Sequence, residues 1–509
     1  MSLVDHLRRA CRVDASHKAL VAGPRHWTYG QLDEVTDRLA ASLLRLGLQP
    51  GDRVALQLGN CPELIMAYYA CFKLGAISVP INTRFAAAEI EYTLNHAACR
   101  VCISQSDLYA NVRPIRSALQ TVEHFFLVDQ PSADSATRPL AELMDCPVGD
   151  VVFPEVADED VAAILYTSGT TSRPKGVTHT HNSLCATAEC HGTQIGMRSD
   201  DVVCIIPPMC HILGFATQMV AGVWAGARLV ILPRFDPDLV LRTIEEHQAT
   251  RIAALPVLFQ ALVNHPQAGQ FSLRSLRTCI GGGDAVPTAL QEKFQATFGV
   301  PLLEGCGMTE VIPFTLNMPD QLRAGSIGRA CPGVTIRLVD DQGRDVPCGS
   351  VGEILVRSDA AMIGYWQDPE TSKATMEGGY IHTGDLGRLD EDGYYWFMGR
   401  KKEIIIRGGS NISPLEVEEA LYQHPAVREC GVVGIPDSTV GEVVWAFVAP
   451  HSNQAASAAE LQDFLHERIA SYKVPEAIHF LPVLPKGPTG KIHRRTLREQ
   501  ALRERQPAM

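Results

Sequence analysis

A segment at residues 166–177 combines the residue types that bind phosphate groups. It carries five Ser or Thr hydroxyls, two glycines and two cations within twelve residues, and it follows the apolar run at 161–165. A strand that opens into such a loop offers backbone N–H and side-chain O–H donors to an anion, while Arg173 and Lys175 add positive charge. The composition therefore predicts a phosphate-binding loop. A flexible surface loop is the alternative for this segment taken alone.

The loop is not a P-loop, because no Gly-Lys-Ser/Thr sequence closes it: Pro174 precedes Lys175 and Gly176 follows it. Four further segments follow: Glu-Gly-Cys-Gly-Met-Thr-Glu at 304–310, Gly-Tyr-Ile-His-Thr-Gly-Asp at 379–385, Gly-Arg-Lys-Lys-Glu at 399–403 and Pro-Thr-Gly-Lys at 488–491. In this order the five segments resemble the signature of the adenylate-forming superfamily, which includes acyl-CoA synthetases, adenylation domains of peptide synthetases and luciferases. The resemblance runs from about residue 27 to residue 491, and it favours the acyl-CoA synthetase branch.

The resemblance implies an enzyme that converts a carboxylic acid and ATP into an acyl-adenylate and then transfers the acyl group to CoA. A carboxylate does not react with a thiol at neutral pH, because oxide is too poor a leaving group, whereas AMP leaves readily. Donors and cations around the α-phosphate, together with Mg²⁺, are where catalysis should arise. We therefore expect ATP, Mg²⁺ and CoA to act with a small-molecule acid.

The family match assigns most ATP contacts to the middle segments. Thr309 should contact the α-phosphate and Glu310 should bind Mg²⁺, which prefers oxygen ligands, although Thr-Glu alone is as often a helix start. Asp385 should accept hydrogen bonds from both ribose hydroxyls, with Arg400 near the same ribose. The resemblance assigns the binding of the β- and γ-phosphates to Thr167, Ser168, Gly169, Thr170, Thr171 and Lys175. It assigns the contacts with the adenine and the adjoining part of the ligand to Gly282, Gly283, Asp284, Cys306, Gly307 and Met308.

Two positions depart from the family pattern. Ser172 stands where relatives usually have glycine, and Cys306 stands where relatives have an aromatic ring that stacks on adenine. A serine at 172 could stiffen the loop if the backbone needs a left-handed conformation there. We expect altered loop closure and altered adenine binding, not loss of function.

The C-terminal segments are expected to supply a catalytic lysine and the CoA contacts. Lys491 lies on a loop rich in glycine and proline, from which a long ammonium side chain can reach a carboxylate and an α-phosphate together; an exposed tail lysine is the alternative. Lys402 occupies the hinge position, with a flexible charged linker as the alternative. Rotation of the C-terminal domain about this residue would move Lys491 out of the active site and bring the CoA-binding surface into it. That surface is assigned to Gly408, Gly409, Tyr472 and Lys473.

His211 matches the family residue near the acyl carboxylate, although a lone histidine in an apolar segment is usually a core residue. Its neighbours Ile212, Leu213 and Phe215 predict an apolar acyl pocket. No Arg or Lys stands beside Cys306, which disfavours a dicarboxylate, so a fatty or aryl acid is expected. Two other activities stay open: an adenylating enzyme that loads a carrier protein, and a nucleotide-binding paralogue without turnover.

Composition restricts the setting in which this chemistry takes place. The net charge of −12 disfavours a nucleic-acid partner, and 46% apolar residues is ordinary for a globular protein. We expect no secretory signal, because charged residues interrupt the first fourteen positions. We also expect no membrane span, because the longest apolar stretch, at 212–232, contains Gln218, Gly222, Gly226 and Arg228 and predicts a buried helix followed by a strand. Fifteen cysteines without repeated spacing fit reduced thiols in the cytoplasm. A homodimer is left open, and the C-terminal cations are either a solvated helix face or a flank for polyphosphate.

A chain of 509 residues is too long for a single core, so at least two domains are expected. The order of its helix and strand patterns predicts an α/β fold. Alternating helix and strand patterns, such as a helix at 63–74 that glycine ends at 75, indicate mostly parallel sheets in a large N-terminal domain with several subdomains. A turn at 390–393 and the segment 399–403 mark a boundary. With this boundary, the family resemblance implies an N-terminal ATP- and acyl-binding domain at 1–398, a hinge at 399–403 and a small mobile α+β domain at 404–509 that carries the catalytic lysine. A capping box at 413–416 should start its first helix.

Overall fold

The computed structural model describes residues 2–129, 134–167, 173–451, 456–487 and 491–505. Within them, two large sheets form the N-terminal body. The nine-stranded sheet has the order Arg329–Ala330, Val311–Leu316, Leu302–Met308, Thr278–Gly281, Arg251–Ala254, Val202–Ile205, Arg228–Ile231, Lys18–Ala22 and Arg25–Thr28. The eight-stranded sheet has the order Gly364–Tyr365, Lys175–Thr180, Val161–Thr167, Ile77–Pro80, Arg53–Gln57, Cys99–Ser104, His124–Leu127 and Thr137–Pro139.

Strand pairing in both sheets is mainly parallel, with antiparallel strands at the edges. Helices connect the parallel strands, as crossover connections require. The helices of this body are Leu3–Asp14, Tyr29–Arg45, Pro62–Leu74, Ala87–His96, Ser106–Tyr109, Ala141–Met144, His181–Gln194, Leu213–Val220, Ala221–Ala225, Pro237–His247, Pro256–Val263 and Thr288–Phe298. The predicted α/β class with mostly parallel sheets is confirmed.

The largest apolar core lies between the two sheets. It contains Leu56 of one sheet, Ile205 of the other, and most of the helix Pro62–Leu74. Lys73 is fully buried in this helix, and its ammonium lies 2.6 Å from the carboxylates of both Asp33 and Asp37. Pairing of this kind is what makes a buried charge tolerable. The helix ends at Gly75 with φ 72°, as the sequence predicts.

Two smaller sheets complete the fold. The first contains Thr335–Val339, Val351–Arg357, Tyr380–Leu389, Met376–Glu377 and Tyr395–Arg400, with the helix Pro369–Thr375 beside it. The second contains Ser410–Ile412, Ile405–Arg407, Gly441–Pro450, Val427–Asp437 and Ala477–Phe480, with the helices Pro414–Tyr422, Ala458–His466 and Arg494–Arg505. This last sheet and its helices form the small α+β part of the fold.

One local prediction is wrong. The helix Pro414–Tyr422 begins with proline as expected, but the side chain of Ser413 makes no capping hydrogen bond. The carboxylate of Glu416 instead accepts a 2.5 Å hydrogen bond from the ammonium of Lys473. A charged partner from elsewhere in the fold thus replaces the local backbone contact that defines a capping box.

The cysteines are free thiols, and the apolar segment at 212–232 is divided among three elements. Cys99 and Cys102 are buried in one strand, and no cysteine among the described residues is in a disulfide. The apolar segment forms the π-helical stretch Leu213–Val220, the helix Ala221–Ala225 and the strand Arg228–Ile231. In the described ranges, every helix is too short or too polar to cross a bilayer.

Candidate active site

The base of the predicted phosphate loop is formed by two antiparallel strands. Thr167 and Lys175 are partners where the strands Val161–Thr167 and Lys175–Thr180 meet. The ammonium of Lys175 lies 5.0 Å from the ring centre of Tyr365. The remaining predicted phosphate ligands lie outside the described residues, namely Ser168, Gly169, Thr170 and Thr171, and so does Ser172.

Glu310 is held in a turn by contacts from another part of the chain. Thr309 and Glu310 connect the antiparallel strands Leu302–Met308 and Val311–Leu316, so they form a hairpin turn and not a helix start. The backbone carbonyl of Glu310 accepts a 2.7 Å hydrogen bond from the N–H of Met362. The phenol of Tyr365 donates a 2.7 Å hydrogen bond to Oε1 of Glu310. These contacts fix the direction of a buried carboxylate.

Thr309 is fixed through its backbone by a buried histidine. Burial lowers the pKa of His179 to about 4, so its ring is neutral at pH 7. Nε2 of His179 lies 2.8 Å from the carbonyl oxygen of Thr309, which can only accept, so Nε2 carries the proton. Nδ1 then accepts from the hydroxyl of Ser183 at 3.0 Å. The contact holds the turn through the Thr309 backbone, and the Thr309 hydroxyl has no hydrogen bond among the described residues.

Asp385 and Arg400 are paired across neighbouring strands. They are cross-strand partners in Tyr380–Leu389 and Tyr395–Arg400, with Nε of Arg400 3.5 Å from Oδ1 of Asp385. Burial raises the pKa of Asp385 to about 6, against the opposing charges of Arg400 and Lys491. At pH 7 the carboxylate is therefore ionised and can accept hydrogen bonds.

Lys491 lies among the residues that the sequence assigned to the nucleotide. Burial lowers its pKa below the ordinary value, and the nearby charges of Asp284 and Asp385 oppose this shift. The charge of Lys491 in turn acts on the thiol of Cys306 and the imidazole of His211. Four predicted site residues from distant parts of the sequence thus lie within electrostatic reach of one ammonium group.

The glycine-containing segments lie on two neighbouring strands of the nine-stranded sheet. Gly282 and Gly283 follow the strand Thr278–Gly281, which pairs with Leu302–Met308, where Cys306, Gly307 and Met308 are found. A Cβ at Gly282 would lie 3.1 Å from the carbonyl oxygen of Gly305, and Gly283 has φ 83°. These strands approach closely, and Cys306 and Met308 keep part of their surface accessible beside them.

His211 lies two residues before the π-helical stretch Leu213–Val220. Burial lowers its pKa to about 4, and the charges of Lys491 and Arg84 act in the same direction. The imidazole is therefore neutral at pH 7. Leu213 keeps accessible surface, but Phe215 is fully buried and stacks on Tyr68 with ring centres 4.6 Å apart. Phe215 thus belongs to the core and does not line an accessible pocket.

The predicted CoA residues lie on a hairpin tip and a short turn, whereas the charge of the predicted hinge residue Lys402 acts on Asp385. Lys402 is exposed in the short turn Lys401–Glu403. Gly408 and Gly409 form the tip of the hairpin Ile405–Arg407 and Ser410–Ile412, with φ values of 56° and 81°. Arg407 donates to the carbonyl of the exposed Tyr472 at 3.0 Å. Among the described residues, no hydrogen bond or ion pair joins this hairpin tip, Tyr472 or Lys473 to Asp385, Lys491 or Glu310.

Most of the C-terminal cations are paired with acids of the same part of the chain. Arg494 lies 2.7 Å from Glu418, and Arg498 lies 3.0 Å from Glu442. Lys486 lies 2.7 Å from Glu429. These pairs favour a structural role for the cations over a flank for polyphosphate.

Two residues near the site were not identified from the sequence. Tyr365 follows a glycine in an ordinary aromatic pair, and only the fold reveals its contact with Glu310. Glu419 lies in a helix of the C-terminal part, and its carboxylate accepts a 2.9 Å hydrogen bond from the backbone N–H of Thr288. Neither contact has a sequence signal, because its partner is 55 or 131 residues away.

The site offers a magnesium ion one carboxylate. In the described part of the chain, no three residues of the His, Cys, Asp and Glu types are grouped so that they could hold a metal by themselves. One oxygen of Glu310 accepts from Tyr365, and the other oxygen has no hydrogen bond among the described residues. This arrangement fits an ion that takes one protein oxygen and completes its shell with phosphates and water.

Comparisons with known proteins agree with this geometry. Residues 7–366 match the family model described as AMP-binding enzyme, and residues 416–491 match the AMP-binding enzyme C-terminal domain. The long-chain-fatty-acid–CoA ligase of Bacillus subtilis (strain 168) is 34% identical over 500 residues, which cover 92% of this chain and 89% of that protein. The indoleacetate–CoA ligase of Aromatoleum aromaticum is 33% identical over 509 residues and 99% of both chains.

The solved structures include a similar fold with an intermediate bound. The anthranilate CoA ligase AuaEII, in complex with anthranoyl-AMP, superposes with a TM-score of 0.93 at 32% identity. The match covers 98% of this chain and 97% of that one. The similarity therefore includes both the N-terminal body and the small C-terminal part.

Proposed function

Because this chain belongs to the AMP-binding family of adenylate-forming enzymes and is an AMP-forming acid–CoA ligase, we propose that its substrate is an apolar fatty or aryl carboxylic acid. The observation that carries the proposal is the apolar segment around His211, a predicted site residue on which the charge of Lys491 acts. The imidazole is neutral at pH 7, and the residues next to it are apolar. No Arg or Lys stands beside Cys306, so a second carboxylate on the acid would lack a compensating charge at that position. Relatives named for fatty, indoleacetic and anthranilic acids support the same class.

In the first step, a carboxylate oxygen of the acid attacks the α-phosphorus of ATP while the bond to pyrophosphate breaks. We assign Lys491 to this step, because its ammonium lies among Asp385, Asp284 and Cys306 and can neutralise charge on the α-phosphate. The Thr309 hydroxyl contacts the same phosphate. Glu310 would hold the magnesium ion, which supplies positive charge to the phosphates when bound.

The nucleoside and the outer phosphates have separate sites in this proposal. Asp385 accepts from the ribose hydroxyls, with Arg400 beside it, and the adenine lies along Gly282, Gly283 and the strand that carries Cys306. Thr167 and Lys175 face the β- and γ-phosphates with the loop between them. Since a thiol cannot stack as an aromatic ring does, we expect weaker adenine binding than a ring at 306 would give.

In the second step, the CoA thiol attacks the acyl carbonyl and AMP leaves with the former carboxylate oxygen. We assign CoA binding to the surface of Gly408, Gly409, Tyr472 and Lys473, which lies apart from Lys491 in the arrangement described above. Rotation about the segment that contains Lys402 would bring this surface to the site. The exposed glycine hairpin tip and the exposed Tyr472 ring support a surface that has a partner in another arrangement.

A substrate panel tests the proposal. The purified protein is incubated with Mg-ATP and fatty acids of several lengths, aryl acids and dicarboxylic acids, with and without CoA, and AMP and thioester are measured. Thioester that forms only with CoA, and fastest with an apolar acid, supports the proposal. Preference for a dicarboxylic acid would overturn the substrate class. Adenylate that accumulates and does not react with CoA would instead favour a carrier protein as the acceptor.

A further inference from the structure

The helix Thr288–Phe298 of the N-terminal body starts without a cap of its own. Its N-cap residue is Pro287, which has no side-chain oxygen, and its first turn contains no acidic residue. The first N–H groups of a helix have no partner within the helix and favour a negative charge nearby. A hydrogen-bond partner for this helix start therefore comes either from water or from elsewhere in the fold.

That partner comes from the C-terminal part of the chain. Glu419, in the helix Pro414–Tyr422, accepts a 2.9 Å hydrogen bond from the N–H of Thr288. Other glutamates of this chain cap helices within their own part: Glu460, for example, accepts from Ser457 at 2.7 Å. The contact between Glu419 and Thr288 differs because Thr288 precedes the segment 399–403 and Glu419 follows it.

The helix that carries Glu419 is also connected to Lys491. The preceding residue, Glu418, accepts hydrogen bonds of 2.7 and 3.0 Å from the guanidinium of Arg494 and one of 2.8 Å from the N–H of Val432. Arg494 begins the last helix, three residues after Lys491. A contact at Glu419 therefore constrains the element from which Lys491 reaches the site.

We propose that Glu419 is a positioning residue that stabilises the arrangement in which Lys491 faces the nucleotide site, by capping the helix Thr288–Phe298. The inference rests on the role proposed for Lys491. When the C-terminal part rotates for the second step, the carboxylate leaves the helix start and water takes its place. Loss of the cap therefore favours the second arrangement over the first.

Two single substitutions remove the contact from its two sides. Glu419→Ala removes the acceptor. Thr288→Pro removes the donor, and it suits the site because proline is accepted at the first helical position and Pro287 already has the extended backbone, φ −55° and ψ 136°, that a residue before proline adopts. Glu419→Gln keeps an acceptor oxygen without the charge. Glu460→Ala is the matched control, since it removes a cap that lies within the C-terminal part.

Three measurements are made on each variant of the full chain: pyrophosphate release with acid and ATP, thioester formation from supplied acyl-adenylate and CoA, and hydrogen exchange of the peptide that covers residues 284–292. We expect Glu419→Ala and Thr288→Pro each to lower the ratio of the first rate to the second about fivefold, the typical effect of a lost helix cap. The double variant should show no further loss. Hydrogen exchange at 284–292 should become faster in Glu419→Ala and Thr288→Pro. Glu419→Gln should keep most of the wild-type ratio of the two rates. Glu460→Ala should change neither this ratio nor the exchange at 284–292.

An unchanged ratio in Glu419→Ala, or an equal loss of both rates, would overturn the inference. So would additive losses in the double variant, because two substitutions at one contact cannot each remove it. If the proposed role of Lys491 is wrong, the measurements give a different result. If Lys491 does not serve adenylation, Lys491→Ala leaves pyrophosphate release intact, while hydrogen exchange still reports whether Glu419 caps the helix.

Discussion

Tyr365 donates a 2.7 Å hydrogen bond to the carboxylate of Glu310 while its ring lies 5.0 Å from the ammonium of Lys175. One side chain thus contacts the proposed magnesium ligand and a proposed phosphate ligand. Burial raises the pKa of Tyr365, and the charge of Glu310 adds to this shift, so the phenol stays protonated and remains a donor. The contact orients Glu310 and leaves its second oxygen for an ion.

Tyr365→Phe should weaken metal binding and leave the ring contact with Lys175 in place. Groups that orient a metal ligand typically contribute about tenfold to affinity. We expect the Mg²⁺ concentration that gives half-maximal pyrophosphate release to rise about tenfold, and Mn²⁺ binding in the presence of ATP, followed by electron paramagnetic resonance, to weaken equally. Tyr394→Phe, which removes a 2.8 Å hydrogen bond to Gln321, is the control. Unchanged Mn²⁺ binding in Tyr365→Phe would show that Glu310 does not need this donor.

Asp385 should make ATP binding depend on pH. Its pKa of about 6 lies above the ordinary 3.8, so the carboxylate becomes protonated as the pH falls through 6 and accepts hydrogen bonds less well. The KM for ATP should therefore rise below pH 6. Asp385→Asn should show a raised KM at pH 7, because it lacks the charge, and no such rise at low pH. A variant that keeps the wild-type pH profile would exclude Asp385 as its source.

The same pKa shift predicts an effect of Asp385 on stability. A carboxyl group that holds its proton more tightly when folded contributes most below pH 4, and this contribution is lost as the pH rises to about 6. Asp385→Asn should therefore be more stable than the wild type at pH 7, by about 1–3 kcal/mol, and the difference should shrink toward pH 4. Urea unfolding at the two pH values measures this. A less stable variant at pH 7 would mean that Arg400 and Lys491 outweigh the cost of burial.

Lys491→Ala should separate the two half-reactions. The charges of Asp284, Asp385 and Cys306 act on its ammonium, which we assign to the step at the α-phosphate. We expect pyrophosphate release to fall at least about 100-fold, as when a positioned charge is removed from a transition state, and thioester formation from supplied acyl-adenylate to stay within about threefold. Lys486→Ala, in the same loop but paired with Glu429, is the control. Equal loss of both half-reactions would contradict two arrangements of the C-terminal part.

The sequence predicted the α/β architecture because helix and strand periods and glycine stops are local signals. The helix that ends at Gly75 is an example. The sequence also named the residues that meet at Lys491, but only through resemblance, since nothing local joins Asp284, Asp385 and Lys491. It failed where a distant partner decides the contact. The carboxylate of Glu416 pairs with Lys473 and does not complete a capping box, and Phe215 packs against Tyr68 in the core.

The ion pair between Glu418 and Arg494 should stabilise the C-terminal part. Glu418 is buried, and its carboxylate accepts two hydrogen bonds from Arg494 and one from the N–H of Val432. Glu418→Ala leaves a mostly buried guanidinium and an N–H without this acceptor, which typically costs about 3–5 kcal/mol for a buried pair. We expect a lower urea midpoint for the transition that involves the C-terminal part.

Glu499→Ala is the control for this prediction, because its pair with Arg495 at 2.9 Å is exposed on the last helix. Exposed pairs of this kind contribute about 0.3–0.5 kcal/mol, so the control should unfold almost as the wild type does. Similar small losses in both variants would mean that Arg494 finds another acceptor, and the nearest is Glu403 at 3.6 Å. Glu403→Ala combined with Glu418→Ala should then produce the full loss.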